Sequence, residues 1–199
     1  CLGDLQASTY SAISINDIVI NLGTGSQVIF KKKYQNIPII NEYYRIYPKK
    51  GKLPVLSHIP CGRLISDYCQ IKCIDFLDIK NSIKNMTHER YIEIIQLNKL
   101  DLLFFPGFDT NTFKYTNNPP TSIEYLSQYE PEQIMANWIN QYISIINYTI
   151  NNSKNKNNIN VSIVGELGGI ANECIDLINK ITPCYIKISH YKTSLPLSI

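Results

Sequence analysis

Near the start of the chain, Gly3-Asp4-Leu5-Gln6-Ala7-Ser8 sets a carboxylate on a tight glycine turn, and Leu22-Gly23-Thr24-Gly25-Ser26 follows after one strand. A carboxylate within reach of a hydroxyl can take its proton as the oxygen attacks phosphorus. A glycine turn can bring backbone N–H groups and a Thr hydroxyl against the phosphates of a nucleotide. The pairing suits phosphoryl transfer. Asp4 is then the candidate base, Gln6 a candidate substrate contact, and Gly23, Thr24 and Gly25 the candidate phosphate turn. Each has a plainer alternative. Asp often does no more than hold its turn, and Gly-Thr-Gly between two strands can be an ordinary hairpin tip.

The surrounding pattern predicts the elements that would position these residues. Asp17 to Asn21 and residues 27–31 read as two strands flanking the Gly-Thr-Gly turn. Residues 34–50, with several Tyr and Pro, read as an irregular excursion, and Leu53 to Leu56 as a short strand. Pro60 or Gly62 opens a helix expected to run to about residue 79, with Leu64, Tyr68, Ile71 and Leu77 toward the core. A shorter helix is expected from Thr87, its cap, to Leu97. Leu100 to Phe105 is apolar and strand-like, and Pro106 to Pro120 a long loop. Pro131 suits the first turn of a helix whose stripe is Ile134, Trp138, Tyr142 and Ile145. A polar linker at 151–160 leads to a strand at Val161–Val164, a helix opened by Gly168-Gly169, and a last strand at 184–189. Strands alternating with helices predict a single α/β domain with a mixed sheet.

Taken in order, the Gly-Asp-Leu-Gln-Ala-Ser turn, the strand into Gly23-Thr24-Gly25, Ser57-His58-Ile59-Pro60-Cys61-Gly62-Arg63-Leu64, Leu103-Phe104-Phe105-Pro106-Gly107 and Ile163 to Asn172 resemble the second domain of the FGGY carbohydrate kinases. Within that family the chain is most similar to sedoheptulokinase-like members. The resemblance implies a ribonuclease-H-like, actin/hexokinase-type fold across residues 1–199. It implies the C-terminal, nucleotide-binding domain of an ATP-dependent sugar kinase, with ATP and Mg2+ as cofactors and a sugar as substrate, a seven-carbon ketose in the most similar branch. The N-terminal sugar-binding domain would be absent from the chain and would be its partner. Asp4 is the implied base. Gly62 is implied to pack under the nucleotide, Gly168 and Gly169 to let adenine and ribose lie against the chain, and Asn172 to bond the base. A helix N-terminus without a ligand is the alternative at 165–169. The chain departs from the family pattern at Gly107-Phe108-Asp109-Thr110-Asn111 and at Pro196, where a proline stands in place of a helix glycine. Those departures leave a second reading open, a non-catalytic descendant that binds a nucleotide or a protein through the same fold.

Bulk properties limit the other classes. With 44% hydrophobic and 18% charged residues the chain is ordinary for a globular domain. A net charge of +3 gives no case for nucleic acid, and Lys31-Lys32-Lys33 reads as a solvated loop. No apolar run has the length of a membrane helix, and the expected location is the cytoplasm. Of the six cysteines, Cys69 and Cys73 have a spacing that would share a helix face, but no second pair accompanies them, so free buried thiols are expected. His58 reads as structural, as does the Trp138 stripe.

Overall fold

The computed structural model describes residues 12–34, 36, 42–45, 52–97, 108–109, 114–115, 126–152, 159–165, 167, 170–182 and 186–190. Its centre is a six-stranded sheet built from β1 (Ile18–Leu22), β2 (Gly25–Phe30), β3 (Glu42–Arg45), β4 (Lys52–Pro60), β7 (Ile159–Val164) and β8 (Ile186–His190), in the order β3-β4-β2-β1-β7-β8. β1, β2, β4 and β3 pair antiparallel in succession, while β1, β7 and β8 are parallel neighbours. The sheet is therefore mixed, and the expected α/β class holds. Strands β5 (Phe108–Asp109) and β6 (Lys114–Tyr115) form a separate antiparallel pair.

Period-two alternation divides the sheet's two faces. Ile18, Ile20 and Leu22 of β1 join Val28, Phe30, Leu56, Val161 and Ile163 in the main core, under the helices. Val19, Ile29, Val55 and Val164 point the other way, where they pack with Ala12 and Ile13. The helical layer comprises α1 (Gly62–Lys72), α2 (Phe76–Lys84), α3 (His88–Leu97), α4 (Pro131–Asn151) and α5 (Ala171–Ile181). Helix α4 is its axis. Pro131 occupies its first turn, and Glu130 and Gln133 form a reciprocal capping box. Ile134, Trp138, Tyr142 and Ile145 are all buried, as their spacing predicts. Each large apolar side chain removed from water contributes about 1.5–3 kcal/mol.

Polar ties fix the other helices to α4. The Tyr68 hydroxyl donates to the Tyr129 carbonyl at 2.8 Å, and Lys72 reaches Glu130 at 3.1 Å. Tyr91 donates to Asn140 at 2.8 Å, and Arg90 bridges Glu93 and Glu132. Thr87 caps α3 as expected, accepting from the Arg90 N–H at 3.1 Å.

Several expectations are corrected. The helix predicted from 62 to about 79 is two helices. Cys73 turns left-handed at φ 57° and ψ 42°, and Asp75 starts α2 by accepting from Leu77 and Asp78 N–H groups. Ile71 and Leu77 consequently face solvent, and Ile65, Tyr68 and Cys69 carry the buried face of α1. Cys69 is buried and Cys73 exposed, so they share no face. The excursion at 34–50 contains β3, and the short strand at 53–56 extends over all of β4. Lys31 and Lys33 are not simply solvated, since both pair with the buried Asp17 carboxylate. The strand expected at 100–105 lies outside the described residues.

Candidate functional site

The carboxyl ends of parallel strands β1 and β7 lie side by side, and three loops leave the sheet there. In open α/β sheets this end is where ligands sit. The first loop is Gly23-Thr24-Gly25. It closes on itself, with the Gly23 N–H donating to the Gly25 carbonyl at 3.2 Å. Thr24 and Gly25 are exposed. A register shift between β2 and β4 at Ser26/Val28 follows directly, the mark of a bulge that re-aims the strand.

The second loop is the entry to α1. Cys61, at the N-cap, offers no side-chain cap. The first turn of the helix is instead satisfied by the neighbouring hairpin. The Gly62 N–H donates to the Gly23 carbonyl at 2.9 Å, and the Arg63 N–H to the Thr24 carbonyl at 3.0 Å. These are donors that a helix leaves open at its start. A β-carbon on Gly62 would lie 2.7 Å from the Gly23 carbonyl oxygen and 3.1 Å from Leu167. Gly62 is thus glycine because α1 abuts the turn.

The third loop leaves β7 through Gly165, at φ +94°, whose missing β-carbon leaves room for the Leu22 carbonyl. Leu167 follows with φ 39°, a sparsely used region for a branched residue. Its side chain reaches the start of α1. Leu22, the Gly-Thr-Gly turn, Gly62, Gly165 and Leu167 therefore form one continuous cradle.

Gly23 and Gly25 differ from these two glycines. Neither has the positive φ of Gly165, and neither has the tight backbone approach found at Gly62. An added β-carbon at Gly25 would find only the Ile59 carbonyl within reach, at 3.8 Å, and one at Gly23 only the Gly25 carbonyl, at 3.4 Å. Nothing among the described residues fills the space at these β-carbon positions or requires glycine at either one.

Beneath the cradle lies a buried polar spot made by Ser26, Cys61, Tyr142 and Cys174, all fully or almost fully buried. Burial pushes the Cys61 thiol up to about 12, against the opposing bonds of Gly62, Tyr142 and Gly23. Burial likewise raises Tyr142 and Cys174. Cys61 is therefore a neutral thiol near pH 7 and no nucleophile. Trp138 stacks edge-on against Tyr142, with ring centroids 4.9 Å apart. It is a core residue.

Of the residues singled out from sequence, the fold brings Gly23, Thr24, Gly25 and Gly62 together. Asn172 is exposed in the first turn of α5, on the far side of Leu167 in the chain. That helix starts at Ala171 rather than at Gly168-Gly169. Asp4, Gln6, Gly168, Gly169, the 110–111 part of the altered loop and Pro196 lie outside the described residues, as does the side chain of His58. Among the described residues no group of three or more His, Cys, Asp or Glu could hold a metal ion, and no helix is long and apolar enough to cross a membrane. Gly165 and Leu167 were not singled out individually. Their signal was the strand-to-glycine junction Val164-Gly165. In comparisons with known proteins, the chain matched no family model and no curated protein.

Proposed function

We propose that this chain is a nucleotide-binding domain of the ribonuclease-H-like, actin/hexokinase type, and that it serves as the C-terminal half of an ATP-dependent carbohydrate kinase of FGGY type. The observation that carries the reading is the open Gly23-Thr24-Gly25 turn. Among the described residues its glycines answer no demand of positive φ or close packing, and close approach of an external group is one reason for glycine there. The sheet supports the same reading. An antiparallel run of strands is continued by parallel strands through a helical crossover, and the turn stands at the carboxyl end of β1.

In this reading the phosphates of ATP, with Mg2+ held mainly by phosphate and water, lie over the turn beside Thr24. Asp4 takes the sugar hydroxyl's proton, Gln6 touches substrate, and Gly168, Gly169 and Asn172 line the adenosine end. An N-terminal domain of that family type would supply the other wall and exclude water on closure. A seven-carbon ketose rests on the resemblance alone, and a cytoplasmic location on the expectation of free thiols.

A second reading draws on a specific observation. The carbonyls of Gly23 and Thr24 are occupied by α1, so the turn also acts as a helix cap. A descendant that kept the turn as a cap and lost catalysis would look the same here. Titration of the chain with ATP and ADP, followed by phosphorylation assays of the two-domain protein against ketoses and polyols, separates the two. Binding with turnover supports the kinase. Binding without turnover supports the non-catalytic descendant, and no binding rejects the nucleotide site.

A further inference from the structure

We infer that Tyr142 is a positioning residue of the cradle, seating the start of α1 against the Gly23-Thr24-Gly25 turn from beneath. Its consequence for ligand affinity rests on the nucleotide reading; its place in the fold does not. Two backbone bonds make the joint between turn and helix, from the Gly62 N–H to the Gly23 carbonyl and from the Arg63 N–H to the Thr24 carbonyl. Two buried residues adjoin this joint. Ser26 follows Gly25 on β2, and Cys61 is the N-cap residue of α1, where its side chain makes no cap. Both face the hydroxyl of Tyr142. Tyr142 itself belongs to the middle of α4, and Trp138 packs edge-on against its ring, 4.9 Å between centroids. The helical layer, and not the loops, therefore fixes where that hydroxyl stands.

Packing accounts for the ring but not for the oxygen. The Tyr142 hydroxyl is buried and closes no hydrogen bond with any oxygen or nitrogen among the described residues, and the Ser26 hydroxyl facing it is likewise unbonded. A thiol is only a weak acceptor. A buried hydroxyl so poorly matched costs stability, and phenylalanine would bury the same ring without that cost. A group that the fold would be more stable without is expected where function sets the choice. What the oxygen does is bear on β2 through Ser26 and on α1 through Cys61. It thereby sets the separation between the turn and the helix start, which the two backbone bonds then span.

The test compares the 199-residue chain with its Tyr142→Phe variant by urea melts, hydrogen exchange at the Gly62 and Arg63 amides, and calorimetric titration with MgATP. Tyr142→Phe is expected to melt at or above the wild-type urea midpoint. Its Gly62 and Arg63 amides should nevertheless exchange about tenfold faster, with the β1–β7 ladder unchanged. MgATP binding should weaken about tenfold, the size of one lost polar contact. In a Cys61→Ala background the effect of Tyr142→Phe on exchange should shrink, because one of the groups it acts through is gone. A tyrosine of merely structural value would instead give a lower midpoint and faster exchange throughout, and that result overturns the inference. Unchanged exchange at Gly62 and Arg63 overturns it as well. If MgATP binds both proteins equally, the nucleotide reading stands and this inference falls. If neither protein binds MgATP while the two amides respond as expected, the nucleotide reading falls and Tyr142 keeps its place in the joint.

Discussion

Gly62 and Gly165 are held to glycine by the protein's own backbone, whereas Gly25 is not. Alanine at Gly165 combines a positive φ with a methyl group driven onto the Leu22 carbonyl, and should cost about 2–3 kcal/mol. Gly62→Ala meets backbone at Gly23 and should cost about 1–3 kcal/mol through displacement of α1. Gly25→Ala should stay within about 0.5 kcal/mol. Urea melts of the three variants measure that order. A Gly25→Ala as damaging as Gly165→Ala would give Gly25 an internal purpose and remove the main support for a ligand there. The same scale carries a pH prediction. The Cys61 thiol is raised to about 12 in the fold, above the ordinary thiol value near 8.5. Between those values the unfolded chain loses a proton that the folded one keeps. Stability is therefore full below about pH 8.5 and falls as pH rises beyond it. Melting temperatures from pH 7 to 10.5 should decline, and Cys61→Ala should flatten the decline. An unchanged slope would mean that Cys61 does not contribute. Residue types and spacing marked Gly23, Thr24 and Gly25 in the sequence as a turn, and only the resemblance joined Gly62 to them. The bonds from Gly62 and Arg63 to the turn carbonyls were not legible, because they join backbone groups far apart in the chain and depend on no side chain.

The break between α1 and α2 is the clearest case of an element that periodicity misreads. Leu64, Tyr68 and Ile71 recur at helical spacing and no glycine or proline follows before residue 79, so a single helix is the natural reading, although Leu77 falls out of that phase. The stop is made by Cys73 in the left-handed conformation, a position where glycine is the usual choice. Cysteine gives no such signal. The restart is made by Asp75 and Asp78, which form the reciprocal box of a helix N-terminus, a signal the single-helix reading passed over. Cys73→Gly should stabilise the protein by about 1 kcal/mol by relieving the left-handed residue. Asp75→Ala should destabilise it by about 1 kcal/mol through loss of the cap. Thermal melts read both. If Cys73→Gly lowers the midpoint, the segment does not turn as described. Helix α4 was legible throughout, because Pro131 marks its start and its apolar stripe is long. Strand β3 was hidden in a Tyr- and Pro-rich stretch, where its place is set by pairing with β4 rather than by local propensity.

At the scale of the whole molecule, the alternation of strands and helices predicted the α/β class, and the sheet order adds what alternation cannot. It brings β1 beside β7, so that turns near the start and near the end of the chain share one edge of the sheet. The long-range pairing has no sequence signature, and only the resemblance anticipated that these turns belong together. The proposed base Asp4 and the adenosine glycines Gly168 and Gly169 lie outside the described residues, so the central claim is tested best at Gly25, where the geometry is described and glycine is internally unnecessary. The measurement is calorimetric titration of the 199-residue chain with MgATP, paired with the same titration of Gly25→Val. A β-carbon at Gly25 meets only the Ile59 carbonyl, at 3.8 Å, among the described residues, and valine's branch would occupy space beside the turn. The account predicts saturable, one-site binding to the wild type and at least tenfold weaker binding to a Gly25→Val protein that melts like the wild type. Absence of binding to a folded wild type, or equal binding to both proteins, would contradict it.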